Sequence, residues 1–193
     1  MKHILIDYMK RYTDISESDL EKMAEHIPVA VLKKGTVLLH QGEVPDKCYF
    51  VLKGCVRQYT TDETGKETTC QFFTEEQSVT IFNGATKYTL HCLEDCVLIV
   101  GDLSVEQDMY ERHPELERMT RKMIEENLGD MHDDFASFMA SSPEERFLAL
   151  QEKRPGLIDR VPQYQLASYL GITPESLSRI KKRAGAPHLR RVD

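Results

Sequence analysis

The spacing of hydrophobic positions changes along this chain, and each change marks a predicted element. Between residues 14 and 26, Leu20, Met23 and Ala24 recur at helical spacing behind Ser16 or Ser18 as the cap, which predicts a short capped helix. From Val29 to about Val100 the runs become short and strand-like: Val29–Leu32, Thr36–His40, Cys48–Leu52, Cys55–Thr60, Glu67–Phe73, Tyr88–Cys92 and Cys96–Val100. Lys34-Gly35 and Lys53-Gly54 separate successive runs, and Asp62-Glu63-Thr64-Gly65 reads as a hairpin turn. Many short strands with glycine turns at regular spacing predict a β-sandwich or barrel.

From Leu103 to about Met139 the period returns to that of a helix. Ile124, Leu128, Met131, Phe135 and Phe138 recur at intervals of 4, 3, 4 and 3, the heptad spacing of a helix–helix seam. A parallel dimer seam is the favoured reading, and a helix packed on its own β-domain is the other. Gly129 weakens this helix locally and lets two copies approach closely. Ser141-Ser142-Pro143 predicts a helix stop, a hinge and a new capped helix from Glu144. Arg154-Pro155-Gly156 is expected to separate that helix from the next motif.

That motif runs from Gln163 to Ile180. Ala167 is small where two helices would cross, and Gly171 stands where a tight turn needs a positive φ. Leu166, Leu170, Leu177 and Ile180 supply the apolar face. Thr173 is the expected cap of the second helix, and Pro174 suits its first turn, where a missing N–H costs nothing. The pattern predicts a helix-turn-helix that touches double-stranded DNA; a plain surface helical hairpin is the alternative. Arg179, Lys181, Lys182 and Arg183 crowd the end of the second helix, and Arg190 and Arg191 follow.

Charge sharpens this picture. The chain has 193 residues and a net charge of −7, a length that suits one large domain or two small ones. From Ser141 onward ten Lys/Arg oppose six Asp/Glu, a net of +4, which leaves −11 for the first 140 residues. An acidic body joined to a basic tail makes phosphate contacts on one face while limiting non-specific adhesion. No apolar run reaches membrane-spanning length and the first residues lack a signal-peptide core, so a soluble, cytoplasmic protein without membrane contact is expected.

The five cysteines follow no metal-finger spacing and are expected to be reduced thiols. His91-Cys92 and Cys96 suggest metal, haem or thiol sensing, against the reading of two buried small hydrophobes. His26, His40 and His91 are available as axial ligands, but no spacing singles one out. Neither a phosphate-binding P-loop nor Gly-x-Ser-x-Gly nor His-Glu-x-x-His is present. No enzyme activity, metal or cofactor is expected.

The order of β-roll, long helix, short hinge and helix-turn-helix resembles the Crp/Fnr family of bacterial transcription regulators. The resemblance is carried by Leu166 to Ile180, by Ser142-Pro143-Glu144-Glu145-Arg146, and by Gly42-Glu43 with Asp46 leading to Tyr49-Phe50-Val51-Leu52 and Gly54. It implies an α+β fold: a cyclic-nucleotide-binding-like jelly roll with an N-terminal helix over 1–113, a dimerisation helix and hinge over 114–140, and a helix-turn-helix domain over 141–193. Only ten residues follow Arg183, so the family's wing hairpin is expected to be reduced or missing. Iron–sulfur members use an N-terminal cysteine cluster, whereas this chain has no cysteine before Cys48.

The resemblance also implies roles for residues. Glu175 and Arg179 fall on positions that contact base edges in the major groove, where arginine is bidentate to guanine and glutamate accepts from cytosine. Their i,i+4 spacing equally suits a salt bridge on a solvated face. Thr173, Ser176, Ser178 and Lys182 fall near phosphates or neighbouring bases, and Gln163 and Tyr164 near backbone phosphate. Pro174 stands where some members carry a basic residue.

The ligand cassette departs from the family pattern. Members that bind cyclic AMP carry a Gly-Glu pair for the ribose and an Arg-Ser/Thr pair for the phosphate. Residues 74–88 hold no Gly-Glu pair, and no arginine lies between Gln58 and Glu111. Thr86 and Lys87, followed by Tyr88, fall near the phosphate-binding positions, but lysine offers a point charge rather than a fork. The expected function is a homodimeric regulator on a two-fold symmetric operator, with an unidentified small-molecule effector other than cyclic AMP and a contact with RNA polymerase. The competing reading is a small-molecule, thiol or haem sensor that acts through protein contacts with a weakened DNA module.

Overall fold

The computed structural model describes residues 2–25, 27–79, 84–102, 110–111 and 114–185. The chain divides into two compact units, Met1–Asp133 and Asp134–Asp193.

The first unit is an antiparallel jelly roll. Strands β1 (Val29–Leu32), β2 (Val37–Leu39), β3 (Lys47–Lys53), β4 (Val56–Thr61), β5 (Glu67–Phe73), β6 (Ser78–Val79), β7 (Thr89–Cys92) and β8 (Cys96–Asp102) form two four-stranded sheets. Their orders are β1-β8-β3-β6 and β2-β7-β4-β5. The space between the sheets is filled by Leu39, Val51, Val56, Val79, Leu90, Cys92, Cys96 and Leu98. Alternation along a strand sends the intervening residues to the other face. Phe50, Leu52, Val97 and Ile99 accordingly pack outward, against α1 (Lys2–Met9) and α2 (Glu17–Glu25) through Leu5, Ile6, Tyr8, Met9, Leu20 and Ala24. With both faces covered, β8 reads as an unbroken apolar run. Each such large side chain contributes about 1.5–3 kcal/mol on burial. Ser16 caps α2: its hydroxyl accepts from the Asp19 amide at 3.3 Å.

The long helix α3 (Pro114–Ala140) spans the boundary between the units. Of the helix expected from Leu103, residues 103–109 and 112–113 lie outside the described residues. α4 (Pro143–Lys153) opens with a complete capping box. The Ser142 hydroxyl accepts from the Glu145 amide at 3.4 Å, and the Glu145 carboxylate accepts from the Ser142 amide at 2.7 Å.

α4 ends at Lys153, and Arg154-Pro155-Gly156 separates it from the motif as expected. The separation includes a further short helix that the sequence did not predict, α5 (Pro155–Arg160), opened by Pro155. Proline is tolerated in a first turn, and burial of Leu157 and Ile158 outweighs the helix-breaking tendency of Gly156. The link to the next helix is Val161-Pro162. α6 (Gln163–Leu170) and α7 (Pro174–Ala184) complete the second unit. Its core is Phe147, Leu150, Leu157, Ile158, Val161, Leu166, Ala167, Leu170, Leu177 and Ile180. Residues 186–193, on which the expectation about the wing and Arg190 and Arg191 falls, lie outside the described residues.

Candidate functional site

The α6–α7 pair is built by local signals that agree. Gly171 takes φ +71° and ends α6, where the Ile172 amide bonds the Ala167 carbonyl at 3.0 Å. Thr173 is extended (φ −83°, ψ 155°), and its hydroxyl accepts from the Ser176 amide. Pro174 occupies the first turn of α7. Leu177 and Ile180 face the core, so Glu175, Ser178, Arg179 and Lys182 form one exposed stripe on the opposite side. Pro174, Glu175, Ser178 and Arg179 line a shallow open surface there.

Side chains on this surface are partly pre-positioned. Arg179 donates to the Ser176 hydroxyl at 3.3 Å rather than to its i−4 neighbour Glu175. Ser176 is half-buried, and the Thr173 hydroxyl donates to it at 3.3 Å, so it works within the cap. A hydrogen bond from its own amide, then one from Thr173, holds Glu175 below the usual carboxylate range, with the Arg179 charge a smaller contributor. Lys181 donates to Gln163 at 3.0 Å, and the Tyr164 hydroxyl, on an exposed ring, accepts from Gln165. The surface therefore offers a carboxylate, a guanidinium, hydroxyls and ammonium groups in fixed order along a helix.

The apolar stripe of α3 is exposed in the single chain: Ile124 by 45%, Leu128 by 65%, Met131 by 60% and Phe135 by 65%. Phe138 behaves differently. Its ring lies beneath the Arg146 guanidinium at 3.9 Å and 6.5 Å from the Tyr169 ring, within the second unit.

In the roll, Thr86 is buried and bound through its backbone to Gly42 and Glu43, each at 2.8 Å. Its hydroxyl accepts from the Tyr88 amide at 3.1 Å, Lys87 is exposed and Tyr88 half-buried. Residues 80–83 lie outside the described residues. A cavity of about 10 Å³ lies between Leu38, Leu39, Pro45, Asp46, Lys47, Tyr49, Val79 and Leu90, space for about one water.

Sequence reasoning passed over Arg57. It is only 2% exposed, donates to Thr69 at 2.9 Å, pairs with Glu67 and stacks 4.2 Å over the Tyr59 ring. Its neighbour Val56 points into the roll, so Arg57 lies on the opposite face of its sheet, in register with His91 and Phe72. The signal for it was not local, since its partners come from β5 and β7. His91 sits below its ordinary pKa, first through burial and then through the nearby Arg57 charge. Cys55, Cys92 and Cys96 are buried. Cys96 donates to the Glu94 carbonyl at 3.3 Å, and its hydrogen bond with Cys92, together with burial, pushes the Cys92 thiol upward. A thiol held up in that way is a poor nucleophile, while the same hydrogen bond pulls the Cys96 thiol down. Among the described residues no cluster of His, Cys, Asp or Glu could hold a metal ion, and no helix is long and apolar enough to cross a membrane.

Residues 29–113 match the family model of the cyclic nucleotide-binding domain. No curated protein sequence matches the chain. Among solved structures, the fold is similar to that of FixK2 from Bradyrhizobium japonicum, at 18% identity over 81% of this chain and 83% of that one, with a TM-score of 0.68. It is similar to the c-di-GMP responsive global regulator CLP of Xanthomonas campestris, at 15% identity over 88% of this chain and 91% of that one, with a TM-score of 0.66. The catabolite activator protein of Thermus thermophilus matches at 18% identity over 89% of this chain and 84% of that one, with a TM-score of 0.52. The chain thus carries a domain of the cyclic nucleotide-binding type, in a fold shared with these proteins.

Proposed function

We propose that this chain is a homodimeric, sequence-specific DNA-binding transcription regulator of the Crp/Fnr type. The observation that carries the reading is the exposed stripe of Glu175, Ser178, Arg179 and Lys182 on α7, braced by the Gly171 turn and the Thr173 cap. α7 is the recognition helix in the major groove. Arg179 and Glu175 read base edges, while Ser178 and Lys182, with Thr173, Gln163 and Tyr164, meet phosphates or neighbouring bases. Ile124, Leu128, Met131 and Phe135, exposed in one chain, bury one another across a two-fold axis. Such a dimer meets two half-sites about one helical turn apart.

Residues 1–113 act as the sensor domain, 114–140 as dimer helix and hinge, and 141–193 as the DNA-binding domain. Cyclic AMP is not the effector. The one arginine among the strands lies on the side of its sheet away from the interior, and Lys87 cannot grip a phosphodiester as a fork does.

The test is selection of bound sequences from random DNA, followed by fluorescence anisotropy on the selected operator and on a scrambled duplex across a salt series. Enrichment of an inverted repeat and tight binding to it support the reading. Equal affinity for both duplexes sinks it.

A further inference from the structure

Arg146 bridges two helix ends. It lies in the first turns of α4, and its Nε donates to the Phe138 carbonyl at 2.9 Å while Nη1 donates to the Leu170 carbonyl at 3.3 Å. Phe138 belongs to the last turn of α3, and Leu170 is the last residue of α6. Both carbonyls are therefore among those a helix leaves without an internal partner, and both lie at the negative end of a helix dipole. One guanidinium satisfies the two together. Its plane also covers the Phe138 ring at 3.9 Å, and a Cβ added at Gly171 would lie 3.4 Å from Nη1. The group is held by stacking on one side and abuts the α6–α7 turn.

We propose that Arg146 is a positioning residue that sets the angle between the last turn of α3 and the α6–α7 pair, and so the half-site spacing the protein accepts. This rests on the regulator reading above. α3 carries the exposed apolar stripe and α7 carries the exposed polar stripe. Among the described residues, Arg146 hydrogen-bonds the backbone at the end of the first helix and at the turn leading into the second. Because it grips carbonyls, its two hydrogen bonds do not depend on which side chains stand at 138 and 170, and only the stacking uses the Phe138 ring. The forked, planar, permanently charged guanidinium reaches two carbonyls and stacks at once, which a lysine ammonium does not.

The experiment compares the full-length wild type with Arg146→Lys and Arg146→Gln. Hydrogen exchange of the DNA-free protein is read at the Ser141 amide, bonded to Phe138 O at 3.3 Å, and at the Ile172 amide. Affinity is read on inverted repeats whose half-site spacing is lengthened or shortened by a base pair. In wild type the best spacing should bind about a hundredfold tighter than its neighbours, the avidity lost when geometry forbids simultaneous engagement. Both variants should speed exchange at the two amides together by about tenfold. They should flatten the spacing preference to about tenfold or less, while binding to a single half-site changes little. Exchange that is unchanged at both amides, or faster at only one, overturns the bridge. A spacing preference as sharp in both variants as in wild type overturns the positioning role. If the wild type itself shows no operator preference, the regulator reading fails, and exchange at the two amides still decides whether Arg146 couples the helix ends. Arg146→Lys keeps the charge, so it answers the question if Arg146→Gln does not fold.

Discussion

Lys181 Nζ donates to Gln163 Oε1 at 3.0 Å, linking the start of α6 to the second half of α7. Gln163 is a proposed phosphate contact, so in the free protein it is already oriented by a residue of the recognition helix. Gln163→Ala removes two hydrogen bonds, this one and the one that Nε2 donates to the Ile158 carbonyl at 3.4 Å, and stability should fall by about 1–2 kcal/mol at most. DNA affinity should fall alike for all sequences, with the salt slope unchanged because no charge is lost. Lys181→Ala should instead lower that slope by about 0.9, if Lys181 turns from Gln163 to phosphate on binding. Anisotropy titrations of both variants over a salt series separate the two.

Arg179 and Lys182 sit on the same exposed stripe but carry different chemistry. Ser176 holds Arg179 on its own helix, which leaves the remaining guanidinium donors available for a base edge. Arg179→Ala should cost about 1–3 kcal/mol on the selected operator and relax preference at one base pair of each half-site. Lys182→Ala should weaken every sequence equally. A uniform loss in Arg179→Ala, with the base preference intact, would remove Arg179 from the specificity role.

How far these roles could be read from residues alone depends on whether the signal was local. Glu67–Phe73 is strand as expected, because its pattern and the turn before it are contiguous. The α6–α7 turn was legible for the same reason: Gly171, Thr173 and Pro174 each act on their own backbone. α1 was not legible. Ile4, Leu5, Ile6, Tyr8 and Met9 make a short apolar run that suits strand or helix equally, and only packing against Phe50, Leu52, Val97 and Ile99 decides. α5 misled for the converse reason, since Pro155-Gly156 signals a break locally while Leu157 and Ile158 are buried. Phe138 fits the heptad spacing by count, yet Arg146, eight residues on, holds its carbonyl and covers its ring. Arg57 stayed hidden because Thr69 and Glu67 reach it from another strand.

The α3 stripe should hold two copies together. Four large apolar side chains lie about half exposed or more in the single chain. Their burial across a dimer axis contributes about 1.5–3 kcal/mol for each side chain fully covered. Leu128→Asp places a charge in the middle of that seam and should convert a dimer to monomer in sedimentation equilibrium at micromolar concentration. Circular dichroism should show the folds of both units retained. A dimer that survives both Leu128→Asp and Phe135→Asp would place the interface elsewhere.

Gly171 is required by its backbone. At φ +71° a side chain meets the preceding carbonyl, so Gly171→Ala should destabilise the second unit by about 1–2 kcal/mol. Urea denaturation followed by circular dichroism at the helical band reports it directly. An alanine variant as stable as wild type would mean that the turn relaxes without consequence.

The α4 capping box gives the second unit an acid limb. Glu145 accepts from the Ser142 amide, and the Ser142 hydroxyl and amide together hold its carboxyl below the ordinary glutamate range. A depressed folded pKa means that the native state binds its proton less readily than the unfolded chain. The stabilisation is therefore present above the unfolded glutamate value and is lost as pH falls through the folded one. Glutamine keeps the capping geometry while removing the titrating proton. Glu145→Gln should accordingly match wild type in acid, and it should lack the gain in stability that wild type shows as pH rises through the carboxylate range. Thermal unfolding of the two proteins at a series of pH values measures the difference. Parallel curves would assign the acid limb to another carboxylate of that unit, such as Glu175, which is also held below its ordinary value, first by a hydrogen bond from its own amide.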